Sequence, residues 1–259
     1  LYKTSNVTVR ELAVNSATKE GFFDHESTDL TLEDVDINSP DDDGMTLFKT
    51  KDLSLRTVRV DGAREDGVFL DRTDGVTGTD LTITDPGNDG IEIEANDAEL
   101  SDVRVEHAGT NGLRFDGATR VTADSMAVIG AGSHGVYANG GSTVTLKRIS
   151  TDSSDSKAVR RTSTDSFEIR NSHIRGTVDL GDQFDGTIAG GEITDLALGE
   201  NASGTFSSGL RVTGDLTIGA GAGRGSGKSF AIRDVSVNDS LSVGREAGRD
   251  GGSFAMHNV

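Results

Sequence analysis

Apolar residues in this chain return as alternating triplets, apolar–x–apolar, and the triplets return in sets of three. One column reads Val7-Thr8-Val9, Leu30-Thr31-Leu32, Leu53-Ser54-Leu55, Val76-Thr77-Gly78, Ala98-Glu99-Leu100, Val121-Thr122-Ala123 and Val144-Thr145-Leu146. A second follows it, from Leu12-Ala13-Val14 and Val35-Asp36-Ile37 to Met126-Ala127-Val128. A third follows a glycine: Met45-Thr46-Leu47, Val68-Phe69-Leu70, Ile91-Glu92-Ile93, Leu113-Arg114-Phe115 and Val136-Tyr137-Ala138. The glycines Gly21, Gly44, Gly67, Gly90, Gly112 and Gly135 set a step of 22 or 23 residues. Alternation at period two is a strand signal, and no apolar stripe at helical spacing survives two turns.

A three-residue strand buries nothing alone. Stacked about 4.8 Å above its equivalent in the next repeat, it completes a parallel ladder and an internal apolar column. The pattern therefore predicts an all-β solenoid of about 22–24 residues and three short strands per rung, with roughly twelve rungs. It is read as one domain over residues 1–259, with a change of style near residue 160. Up to there the rungs are regular, and the polar–Gly corner holds. Beyond it the Gly-rich stretches "GAGAGRGSGKS" and "GREAGRDGGS" place protruding loops at another corner. The last rung is incomplete, and a bare parallel edge there calls for more chain or a partner as a cap.

Rungs such as "DLTLEDVDINSPDDDGMTLF" resemble those of right-handed parallel β-helix proteins, the pectate-lyase-like superfamily, over residues 4–160 and more weakly to 259. The resemblance implies the fold. It names no single activity, because function lies in sites grafted onto folds.

Charge narrows the partners. Formal net charge is −18, with 43 acidic against 25 basic residues, and Asp and Arg dominate Glu and Lys. This composition resembles that of salt-loving archaeal proteins and their viruses. Such a surface holds water and cations, and duplex nucleic acid would need a basic footprint instead. The chain has no cysteine and no apolar run long enough to span a membrane.

Three outward columns on the third-strand face carry the candidate chemistry. Glu20, Asp43, Asp66, Asp89, Asn111 and His134 precede the glycines; Thr46, Phe69, Glu92, Arg114 and Tyr137 lie on the strand; Phe48, Asp71, Glu94, Asp116 and Asn139 follow. Paired carboxylates on neighbouring rungs suit the acid and base of glycoside hydrolysis, and exposed aromatics suit sugar rings. The expected catalytic set is Asp66, Asp89, Glu92 and Asp116 with Arg114 and His134. The expected substrate contacts are Phe69, Tyr137, Asp71, Glu94 and Asn111. No cofactor is called for, although carboxylate stacks of this kind also suit Ca²⁺. The bland alternative is that Asp before Gly only makes a turn, the glycine taking positive φ. "GSHG" at 132–135 resembles a polygalacturonase motif, but that family's remaining acids and its Arg-x-Lys are absent in register. "GRGSGKS" imitates a phosphate loop without the helix such a loop requires.

These features point to an extracellular, cell-surface or virion-surface protein that binds or cuts a polysaccharide or surface glycan. The alternative is a non-catalytic rod, such as a tail-spike segment or adhesin, for which a homo-oligomer (a trimer in a spike) or neighbouring subunits would be the partner. A maturation or carrier β-helix is a third, more distant reading.

Overall fold

The computed structural model describes residues 1–141, 143–152 and 156–259, and among them every strand pairing is parallel and no helix occurs. The chain winds as a parallel β-solenoid of about eleven turns. The triplets fall into register as the pattern requires: Val7 pairs with Leu30, Leu30 with Leu53, Leu53 with Val76, and Val76 with Ala98. Their apolar members line the interior, and from Leu30 to Val235 that core is nearly solvent-free. The rung at the start, with Val7, Val9, Leu12 and Val14, is half-buried and packs against that core. No helix is long and apolar enough to cross a membrane.

The three segments of each rung pair with their equivalents in the next, and the first and second are joined in one continuous strand, as in Ser5–Asn15, Thr28–Asn38 and Lys51–Asp61. Val68–Thr84 and Ile91–Glu106 run through all three faces. The bend between the first two triplets is made by one residue in the left-handed region: Glu11, Asp34, Thr57, Asp80, Asp102, Ser125, Arg148 and Asn171, at φ 50–57°. A single such residue turns the chain while its neighbours keep their ladder bonds. Asp29, Asp52 and Asp97 do the same before the first strand. Asp and Asn carry the left-handed conformation at lower cost than most side chains.

The repeating glycines do something other than expected. None of Gly21, Gly44, Gly67, Gly90, Gly112 or Gly135 has positive φ. They are required by close approach. A Cβ on Gly67 would lie 2.3 Å from Ile83 Cγ2 and 2.5 Å from the Gly90 carbonyl oxygen, and the other corners repeat this pair of clashes with the next rung, save that Gly135 meets Ala158 O. The glycine column lets the third-strand corner of one rung settle onto the next.

Beyond residue 160 the solenoid continues with altered rung lengths. Ile169 pairs with Ile188, 19 residues on; Ile188 pairs with Phe206 after 18, Phe206 with Ile232 after 26, and Ile232 with Met256 after 24. The uniform repeat of about 22–24 thus fails in this half. Short rungs lose a corner loop, and the long ones contain the Gly-rich loops. Phenylalanine replaces leucine in the core here: Phe184, Phe206, Phe230 and Phe254 form a chain of ring contacts 5.1–6.3 Å apart. Arg161 stands at the change. It takes the interior place that Ala138 holds one rung earlier. Its buried guanidinium donates to the carbonyl oxygens of Thr164, Leu180, Asp182 and Gln183 and to Thr164 Oγ1.

The glycine column sets a stability test. Gly67→Ala is expected to destabilise the fold by about 1–3 kcal/mol, the usual cost of overpacking. Ser54→Thr, on the solvated Thr/Ser ladder, should stay within about 0.5 kcal/mol. Urea unfolding of both variants checks this.

Candidate functional site

The third-strand face gathers five carboxyls round one guanidinium. Register places Phe69 beside Glu92 and Asp71 beside Glu94, with Glu92 in turn beside Arg114. Arg114 donates to Asp116 Oδ2 at 2.8 Å and stands 3.3 Å from Glu92 and 3.6 Å from Asp89. Oxygens of Asp66, Asp89 and Glu92 all lie within 4.8 Å of one another, as do those of Glu92, Glu94 and Asp116. Such spacing suits a hard cation, and these are the residues that could hold one. Arg114 already brings a positive charge to both groups.

Asp43, Asp66 and Asp89 also serve the backbone. Asp43 Oδ1 accepts from the Asp66 N–H at 3.0 Å, and Asp66 Oδ1 accepts from the Asp89 N–H at 2.9 Å. Asp89 Oδ1 then accepts from the Asn111 N–H at 2.9 Å, from the Asn111 side-chain amide at 2.8 Å, and from Thr110 Oγ1. The turn reading of these aspartates was therefore right in kind but local in the wrong sense: each caps the rung above, not its own turn. Asn111 spends its amide on this ladder, where a substrate contact was expected.

Burial acts on this charge. Asp66 and Asp89 are only 8% and 2% exposed, and Glu92 is 9% exposed. Loss of hydration pushes the Asp66 carboxyl up to about 8; the backbone N–H of Asp89 opposes this, and the charges of Asp89, Asp43 and Glu92 add to it. Glu92 is raised by burial first, against the pull of Arg114, with Asp89 pushing it further. Glu94 is raised by burial and by its neighbours Asp71 and Asp116. At neutral pH Asp66 therefore keeps its proton.

Other predicted residues stand apart. His134 contacts Ser133 and the Tyr137 ring, 5.4 Å away, and burial lowers its pKa. Tyr137 pairs in register with Arg114 on one side and Arg160 on the other. Asp71 is engaged by its neighbour Arg72 through two hydrogen bonds of 2.8 and 3.0 Å. Phe69 is half-buried. The Phe48 ring is covered: it lies 4.9 Å from His25, which stacks on Tyr2 at 5.1 Å, and the Arg72 guanidinium covers Phe48 at 4.4 Å. His25 is thus held between Tyr2 and Phe48 along the rod, while Tyr2 at the end of the stack stays exposed.

The pattern of triplets did not reveal a cleft of about 1010 Å³ in the second half. Gly140, Arg161, Thr162, Asp182, Asp185 and Lys228 are among its lining residues, and the loop around Arg224–Lys228 forms a wall. Its one sequence signal was the Gly-rich insertion together with an arginine in an apolar place at 161. The cleft joins the acidic cluster by a hydrogen-bonded path. Asp116 Oδ1 accepts from Asn139 Nδ2 at 3.1 Å, and Asn139 Oδ1 accepts from Thr162 Oγ1 at 2.8 Å.

The chain matches no protein-family profile and no curated protein. Solved structures share its fold. It is similar to the Agl-KA catalytic domain (TM-score 0.61, 13% identity, 97% of this chain and 58% of that one). It is similar to the catalytic unit of a thermostable GH87 α-1,3-glucanase from Streptomyces thermodiastaticus (TM-score 0.52, 15% identity, 89% and 48%). It is also similar to a tailspike protein of the E. coli bacteriophage HK620 (TM-score 0.56, 9% identity, 100% and 67%). The chain spans 48–58% of the length of the catalytic domains it matches. The likeness establishes a parallel β-helix of the right-handed type.

The buried Asp66 makes stability depend on pH. Its folded-state pKa lies above its unfolded value, so folding keeps a proton that the unfolded chain loses as pH rises. That contribution is complete below pH 3.8 and lost progressively up to about 8. Stability should fall across this window, and Asp66→Asn should flatten the fall, which thermal melts at several pH values would show.

Proposed function

We propose that this chain is an extracellular polysaccharide-active protein of glycoside-hydrolase type, with its reacting centre at Glu92, Asp116 and Arg114. The observation that carries this reading is a buried carboxyl whose pKa burial raises, Glu92, beside the more exposed carboxyl of Asp116, with Arg114 between them at 3.3 and 2.8 Å. Glycoside cleavage needs a proton donor for the leaving oxygen and a second carboxylate on the sugar, and pairs of carboxyls with separated proton affinities supply both. Glu92 acts as the acid, with the protonated carboxyl of Asp66 behind it. Asp116 acts as base or nucleophile. Arg114 orients both. Asp89, which accepts three hydrogen bonds from the rung above, stands 3.6 Å from Arg114 on its other oxygen.

The structures sharing this fold include α-1,3-glucanase catalytic domains and phage tailspikes, one of them in complex with a hexasaccharide. They support a glycan partner and a place outside the cell or on a virion. The composition supports work at high salt.

The second reading, a non-catalytic spike or adhesin rod, rests on the same ladder: Asp43, Asp66 and Asp89 each cap a backbone N–H, so carboxylates would stand there without catalysis.

Reducing-end assays on a polysaccharide panel at high salt separate the two. Glu92→Gln and Asp116→Asn should each lower cleavage at least about 100-fold. Asp97→Asn, at a distant corner, should leave it unchanged. A protein that binds glycans but releases no ends, before and after mutation, would establish the rod.

A further inference from the structure

We infer that the ligand is an uncharged oligosaccharide chain that runs along the rod from the acidic cluster into the cleft at residues 161–165, 182–185 and 224–228. The inference rests on the reading of the acidic cluster as a glycan site and assigns that site a second, distal part and a substrate class.

Continuity is the first argument. The Asp116 column continues through Asn139 to Ser163 in strand register. Asn139 is bonded to Asp116 on one side and to Thr162 on the other, and Thr162 and Ser163 line the cleft. The face that carries Glu92 and Asp116 therefore leads to the cleft through Asn139. From Glu92 through Arg114 and Tyr137 to Arg160 is three rungs, or about 14 Å at 4.8 Å per rung. An oligosaccharide of several sugars spans that distance.

Charge is the second argument. The near end offers Asp66, Asp89, Glu92, Glu94 and Asp116 against one guanidinium, and Arg114 is already shared among three of them. The cleft contains three cations, and each is engaged. Arg161 is spent on carbonyl oxygens. Arg224 is held by Asp250 at 2.6 Å and Glu246 at 2.5 Å, and Lys228 by Asp185 at 3.4 Å. A uronate or sulfated sugar would meet carboxylates at both ends, where each cation is engaged; Arg160, the exposed cation on the route between them, has Asp179 beside it in register. Neutral hydroxyls fit the same lining, because carboxylates accept from them and Thr, Ser, Asn and Gln side chains both give and accept.

The wall is itself tied down. Arg224 links its loop to the next Gly-rich loop through Glu246 and Asp250, and Lys228 reaches back 43 residues to Asp185. A groove held open by ion pairs is ready to receive a chain without first ordering one.

The test is a glycan array carrying neutral and uronate-containing oligosaccharides of increasing length, followed by titration calorimetry with the best-bound neutral series. Neutral glycans should bind, uronates should not, and affinity should rise with length until the cleft is filled. Asp182→Asn with Lys228→Ala should cut the affinity of long oligomers about fivefold or more, the scale of one lost hydrogen bond, while short ones bind as before. Circular dichroism controls for folding, and Asp185→Asn gives an independent variant of the wall. Binding that is abolished by Asp116→Asn yet independent of length overturns the distal part and leaves the glycan reading standing. Preference for uronates overturns the assigned class. Binding to no glycan at all overturns the reading on which both rest.

Discussion

Each rung of this protein lies one hydrogen bond from the next, and the third-strand corner reaches that distance because no Cβ stands there. Gly21, Gly44, Gly67, Gly90 and Gly112 each face a neighbour's carbonyl oxygen and a β-branched side chain at distances that exclude any side chain of their own. The spacing fixes much else. Outward residues of the same column are held about 4.8 Å apart, so a sequence that repeats an acidic residue at one position stacks negative charge with no freedom to spread it.

The acidic cluster follows from that constraint. Asp66, Asp89 and Glu92 stand where repetition puts them, in a corner shielded from water. The charge is relieved in three ways: backbone N–H groups of the next rung donate to Asp43, Asp66 and Asp89, Arg114 enters the middle of the group, and a proton stays on Asp66. The same relief makes a chemically useful site. Carboxyls that differ in proton affinity while lying side by side are what acid–base chemistry on a glycosidic bond requires. Asp66 and Asp89 are cap residues of the ladder, and the proposed chemistry rests on the strand residues Glu92, Arg114 and Asp116.

The period-two triplets were enough to place the interior of the regular half, and the register from Val7 to Val144 follows the alignment on the glycines. The gathering of Asp66, Asp89, Glu92, Glu94, Arg114 and Asp116 was also legible, because a stacked column needs only the repeat length. What escaped was set by geometry that composition does not encode. The left-handed bends fall on Glu11, Thr57 and Arg148 as well as on Asp, so no residue type marks them. The glycines looked like turn residues, since a need for φ > 0 and a need for empty space select the same side chain. His134 belongs to the right column, but its ring turns to Tyr137 and not to the acids. The cleft depends on rungs of 18, 19 and 26 residues, where a fixed period loses its hold.

The central claim is that burial on the third-strand corner keeps a proton on Asp66 at neutral pH. The most direct measurement is a carbon-detected NMR titration of the aspartate and glutamate side-chain carboxyls, with Asp66 assigned by its loss in Asp66→Asn. The account predicts that this resonance titrates near pH 8, well above the exposed aspartates. Titration in the ordinary aspartate range near 3.8 would contradict it.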